Sequence, residues 1–267
     1  MSTPTPTPSK TTIFIWPTGL FPRRIIYLLR AKGICLAHLA AQNIELVPVQ
    51  LTSEGLVSCS GFEERPEGSL PVMRLEYDGD ENKKETVYIH ESMAIMQYLD
   101  DLFPASSDHA ELKGSTPIQR ARATDILSVL NDAVSWGIVS LVHSNPSTSS
   151  WSGLKEEDMS SAAAAHAQRK VEGLTGKMDG WVRENMATTD GGKHGSLAGR
   201  GAAVTFADVA LMAQVEYMKE VYGMDFIAGY GALEQWWEEM KGEDWVLGRE
   251  KLLKCERTGK WEGVLGK

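Results

Sequence analysis

The chain is poor in cysteine, and its three cysteines are badly spaced for cross-linking. Cys35, Cys59 and Cys255 are an odd number with no C-x-x-C pair. That argues against a disulfide framework and a zinc knuckle, and it fits a reducing compartment. The six histidines show no metal-ligand spacing, so no metal is expected. A basic stripe is also missing. The formal charge is −9 and the pI is near 5.2, from dispersed acids rather than a block, so nucleic acid and anionic membrane are not expected partners. No apolar run approaches the roughly 18 residues a membrane span needs. Residues 1–10, MSTPTPTPSK, have neither a basic n-region nor an apolar h-region and read as a disordered leader, not a signal peptide. The expectation is a soluble, cytoplasmic protein.

What is present is enough apolar residue for a sizeable core: 267 residues, 42% hydrophobic, suit one large domain or two modest ones. TTIFIW (11–16) is rich in β-branched and aromatic residues, as in a strand buried on both faces. PRRIIYLLRAKGI follows, with Pro22 suited to a first helical turn and Gly33 to a stop. NIELVPVQ (43–50) reads as a second strand. Residues 51–69 read as irregular, with one short helix ending near Pro66-Glu67-Gly68. Strands are expected at 71–77 and 85–90, joined by DGDENKK, which has hairpin turn chemistry. ESMAIMQYLDDLF (91–103) has helical spacing, ended by Pro104.

Beyond that the pattern is helical. A long amphipathic helix is expected over 117–144, another over 155–186, and three more near 205–222, 230–241 and 244–254, with a glycine-rich loop at 187–202. The change near residue 105 reads as a domain boundary. The expected organisation is the leader, an α/β domain over 11–104 in the order β-α-β-(α)-β-β-α, and an all-α domain over 105–267. Trp236, Trp237 and Trp245 are expected to pack the helical domain. No internal repeat is found.

Two junctions carry possible chemistry. Leu70-Pro71 opens a strand, and Glu91-Ser92 stands where a strand meets a helix. Taken alone, Pro71 also reads as an ordinary strand-start proline and Ser92 as a helix cap. Thr205-x-x-Asp208 reads as a capping box and is structural.

RPEGSLPVM resembles the Asn-Pro-X-Gly-Lys-Val-Pro-X-Leu segment of cytosolic glutathione S-transferases. ESMAIMQYLDDLFP resembles their Glu-Ser-X-Ala-Ile-X-X-Tyr-Leu-X-X-X-Phe-Pro segment, and VTFADVALM (204–212) their Ser/Thr-X-Ala-Asp-X-X-Leu segment. Within that resemblance, the chain looks most like divergent fungal-type members, some of which act in specialised metabolism. The resemblance implies a thioredoxin-like N-terminal domain, a cis proline at Pro71, glutathione as co-substrate and a homodimer. Leu70 and Pro71 would hold its cysteinyl backbone, and Glu91 and Ser92 its γ-glutamyl zwitterion. Gln50, Thr52 and Arg65 are candidates for its glycyl carboxylate.

The family's thiol-activating Tyr, Ser or Cys follows the first strand, where this chain reads WPTGLFPRR. Gly19 falls at the serine position and Thr18 is the nearest hydroxyl. Helix N–H groups or Arg23 offer other ways to stabilise a thiolate. An electrophile would lie between the domains, with Leu20, Phe21, Gln119, Arg122, Asp125, Ile126 and Val129 as candidates to face it. Conjugation of a small electrophile, or reversible addition giving cis–trans isomerisation, uses the same thiol. The alternative is a non-catalytic regulatory, carrier or interaction protein on the same fold.

Overall fold

The computed structural model describes residues 7–78, 84–187 and 195–267. Most of the expected leader, the centre of the DGDENKK turn and the first half of the glycine-rich segment lie outside the described residues. The elements are β1 (Lys10–Ile15), α1 (Leu20–Ala31), α2 (Leu36–Ala41), β2 (Ile44–Thr52), β3 (Gly55–Ser58), β4 (Val72–Asp78), β5 (Lys84–Ile89) and α3 (Ser92–Leu102). They continue with α4 (Pro117–Ser144), α5 (Ser149–Ser152), α6 (Ser161–Ala187), β6 (Gly195–Ser196), β7 (Gly199–Arg200), α7 (Phe206–Tyr217), α8 (Gly231–Met240), α9 (Arg249–Thr258) and α10 (Glu262–Leu265).

The described residues form two compact units. The first comprises residues 1–112, 219–223 and 243–267, and the second residues 113–218 and 224–242. The sequence reading places everything after 104 in one helical domain. In the structure, the C-terminal residues instead belong with the sheet.

In the first unit five strands run in the order β3-β2-β1-β4-β5. β1 is parallel to β2 and antiparallel to β4, and the edge strands β3 and β5 are antiparallel to their neighbours. Central β1 is buried at every position after Lys10, as its unbroken β-branched and aromatic run requires. This is a mixed, thioredoxin-like sheet. Two details depart from the expected order. A short helix, α2, precedes β2, and residues 55–58 form a strand within a segment expected to be irregular. The turn chemistry explains the second: Gly55 takes φ +106°, and Thr52 Oγ1 donates to Gly55 O at 3.0 Å. That turn folds Leu56 and Val57 back onto Leu51 and Gln50.

Helix α1 packs on α3, α9 on β2, and α10 on α1. Arg30 of α1 donates to the carbonyls of Asp244, Trp245 and Val264, and Tyr27 Oη to Leu247 O at 3.2 Å. Trp245 meets Tyr27 edge-on at 5.7 Å, so this tryptophan completes the first unit instead of the helical one. Trp261 Nε1 donates to Leu46 O at 3.0 Å. After α9 the chain turns at Gly259, φ +68°, where an added Cβ would come within 3.0 Å of Phe62.

In the second unit α4 lies along α6. Ala123, Ile126, Val129, Leu130, Ala133 and Val134 form its buried face, while Ile118 and Ile138 are exposed. By length and composition α4 meets the test for a membrane span, with mean hydropathy 1.4 over its best window. The apolar residues of this stretch are interrupted by Asn131 and Asp132, so it is not an unbroken apolar run. Asp208 anchors α7 as the sequence implies, and the capping box with Thr205 is formed. Trp236 is fully buried here.

Candidate functional site

The site is built at the end of the β1–β4 ladder. The last paired residues are Phe14 and Val72, so Ile15 and Trp16 continue alongside Pro71 and Leu70. Trp16 packs on the cluster of Phe14, Val47, Val49, Leu70 and Val72. The loop 17–19 therefore begins one strand spacing, about 5 Å, from the Leu70-Pro71 segment.

The Leu70-Pro71 peptide bond is cis. Among the described residues, nothing hydrogen-bonds the backbone N–H or C=O of Leu70. Both groups are thus available to an added extended peptide, since buried backbone groups require partners.

Ser92 is the first residue of α3 and Glu91 is its N-cap, without a side-chain cap bond. Capping therefore does not account for Ser92. Ser92 is buried, at 4% exposure. It stands at the first turn of an eleven-residue helix, where free N–H groups favour a carboxylate. Glu91 is exposed and lies within electrostatic reach of Arg24. Burial pulls the Arg24 guanidinium down to about 10, partly offset by the Glu91 charge. Arg24 also stacks over Phe21, 5.1 Å from its centroid. The first turn of α1 and the start of α3 are thereby tied together.

Gly19 is the N-cap of α1, with φ −73°. Its backbone tolerates any residue, but its surroundings do not: an added Cβ would lie 2.6 Å from the Trp16 ring and 3.3 Å from Pro22 Cδ. The indole occupies the space a serine side chain would need. Leu20 and Phe21, partly exposed, supply first-turn N–H groups with no carbonyl four residues back inside the helix.

Thr18 is 7% exposed and held at both ends. Its hydroxyl donates to Glu256 Oε2 at 2.5 Å, and its carbonyl accepts from Arg23 Nη2 at 3.4 Å. Arg23, fully buried, also pairs with Glu220 Oε2 at 2.6 Å. Glu256 Oε1 accepts from the Leu51 N–H at 3.2 Å, and the Glu256 carbonyl accepts from Cys59 Sγ at 3.1 Å. Sequence reasoning misses Glu256 altogether. It stands 238 residues from Thr18 in a helix of ordinary amphipathic pattern, and nothing local marks it. Trp16 was legible only as a strand-end aromatic.

The other candidates have specific partners. Gln50, half-buried, pairs in register with Val57 on the β3 side. Thr52 closes the β2–β3 turn. Arg65 donates to the carbonyls of Leu56 and Gly68, holding the segment before Leu70. In the second unit Gln119 Oε1 accepts from Ser115 and Thr116 at the start of α4, Arg122 donates to Ala198 O at 3.4 Å, and Ile126 is fully buried in the core with Val129.

No protein-family model matches the sequence, and no curated protein matches it. Solved structures do match its fold. A glutathione S-transferase from Methylobacillus flagellatus, solved with GSH bound, superposes with a TM-score of 0.58 at 16% identity, over 88% of this chain and 96% of that one. One from Methylobacterium radiotolerans, in complex with glutathione sulfonate, gives 0.57 at 16% identity over 89% and 92%. Glutathione transferase F2 from Populus trichocarpa gives 0.58 at 15% identity over 93% and 100%. The chain has the glutathione S-transferase fold.

Proposed function

We propose that this chain binds glutathione and is a glutathione-dependent enzyme. The observation that carries the reading is the open backbone of Leu70, at the same sheet end as Ser92, which is buried at the first turn of α3. A γ-glutamyl carboxylate matches Ser92 and the α3 N–H groups, and its ammonium matches Glu91, which already balances one cation in Arg24. A cysteinyl backbone matches Leu70, and Pro71 fixes its presentation. Neighbouring folds solved with glutathione or its sulfonate support the ligand class.

The thiol would then stand by the loop Thr18-Gly19 and the first turn of α1. We place thiolate stabilisation on the N–H groups of Leu20 and Phe21 with the α1 dipole, because Gly19 has no side chain and Arg23 is paired with Glu220. Its partner would be a small electrophile, reached from Leu20 and Phe21 on this unit. Conjugation, alkene isomerisation and a place in secondary metabolism are finer readings of the same thiol chemistry, in a cytoplasmic homodimer.

A second reading, a glutathione-binding protein without turnover, is favoured by one observation: the nearest hydroxyl, Thr18, already gives its proton to Glu256. Titrating the full chain with glutathione and with cysteinylglycine separates binding from accident. The reading predicts binding of glutathione and at least tenfold weaker binding of the dipeptide, about 1.4 kcal/mol. Turnover with electrophiles and isomerisable alkenes then divides the two readings.

A further inference from the structure

We infer that Glu256, on the C-terminal helix α9, restrains this site by turning Thr18 into a hydrogen-bond acceptor and so holding the bound thiol in its protonated form. The inference rests on the glutathione reading and adds a regulator to it.

A hydroxyl has one proton. That of Thr18 goes to Glu256 Oε2 at 2.5 Å, in a buried contact, and the Leu51 N–H fixes the other carboxylate oxygen. Arg23 donates to the Thr18 carbonyl and holds the loop backbone in place. What Thr18 offers a neighbour is a lone pair. A lone pair accepts an S–H and repels an S⁻, and a carboxylate just behind it opposes a second negative charge. The direction is thus opposite to that of a hydroxyl that donates to a thiolate.

The groups around Glu256 do not offset this. Cys59 and Cys255 both lie within its field, and burial together with the Glu256 charge pushes both thiols up, Cys255 to about 12. Glu262 adds a further negative charge near Cys255. Arg23, which holds the Thr18 carbonyl, is itself paired with Glu220. The restraint is also positioned by packing: α9 lies on β2, and Gly259 seats the following turn on Cys59, Phe62 and Pro48.

Glu256→Gln removes the charge and keeps the shape. Its amide oxygen can still accept from Leu51 while its N–H donates to Thr18 Oγ1, which releases the hydroxyl proton. The test follows the ultraviolet absorbance of the thiolate of bound glutathione against pH, in the full chain and in two variants. Glu256→Gln is expected to lower the pH of thiolate formation by about one unit, roughly tenfold more thiolate below the midpoint. Thr18→Val is expected not to raise it. A midpoint that is unchanged or raised in Glu256→Gln overturns the inference, and so does a midpoint raised by Thr18→Val, the signature of a donating hydroxyl. Should Glu256→Gln fail to fold, Thr18→Val alone still decides the sign. Glutathione affinity is measured on the same samples. Binding with the wrong midpoint sinks only the role of Glu256, whereas no binding by the unaltered chain sinks both readings.

Discussion

Trp236 Nε1 donates to Asp208 Oδ1 at 2.7 Å and joins α8 to the start of α7. The same carboxylate accepts from Leu197 N–H, Ser196 Oγ, and both the N–H and the hydroxyl of Thr205. Asp208 is fully buried, so its stability rests on those donors. Asp208→Ala leaves several buried donors unsatisfied at once and is expected to destabilise the second unit by about 3 kcal/mol or more. Thermal or denaturant unfolding measures this, and an effect well below 1 kcal/mol would contradict it.

The Lys32 ammonium and the Asp100 carboxylate, 2.5 Å apart and both buried, join α1 to α3 in the first unit. Lys32 Nζ also donates to Ala110 O at 2.8 Å. Removing one partner strands a buried charge, so Asp100→Ala is expected to cost about 3–5 kcal/mol. Replacing both partners with apolar residues is expected to cost much less, and unfolding of the single and double variants separates the two cases.

Gly19→Ser tests whether a hydroxyl can be placed at this helix cap by one substitution. With the Trp16 ring 2.6 Å from the new Cβ, overpacking of about 1–3 kcal/mol is expected, with changed tryptophan fluorescence and no gain in thiolate formation. Gain of thiolate with unchanged stability would show that Trp16 yields easily.

The three thiols should differ in reactivity. Burial pushes Cys59 up and Cys255 to about 12, whereas Cys35 is partly exposed. Iodoacetamide under mildly alkaline, native conditions is expected to label Cys35 first, and Cys59 and Cys255 only on unfolding. Peptide mapping by mass checks the order, and early labelling of Cys255 would contradict it.

Much of this arrangement is legible in the sequence because it depends on local patterns. The unbroken apolar run of β1, the Pro-led α4 and the Thr205-Asp208 box all appear where periodicity and capping chemistry put them. Strand β3 is not legible, because it depends on a left-handed Gly55 that resembles any loop glycine. The placing of the last helices is not legible for a related reason. Residues 243–267 read as helix, correctly, but helical spacing does not say which core a helix joins. Arg30, Tyr27 and Leu46 decide that through contacts more than 200 residues away. The Leu70-Pro71 and Glu91-Ser92 junctions could be picked out from their motifs. The neighbours that modify them, Trp16, Arg24 and Glu256, are contributed by tertiary packing.

The central claim is a glutathione platform at Leu70 and Ser92, and isothermal titration of the full chain and Ser92→Ala with glutathione tests it most directly. The account predicts saturable binding by the unaltered chain and a loss of roughly tenfold or more in the variant, about 1.4 kcal/mol, with the melting temperature little changed. Equal affinity in both proteins, or no binding by the unaltered chain, would contradict it.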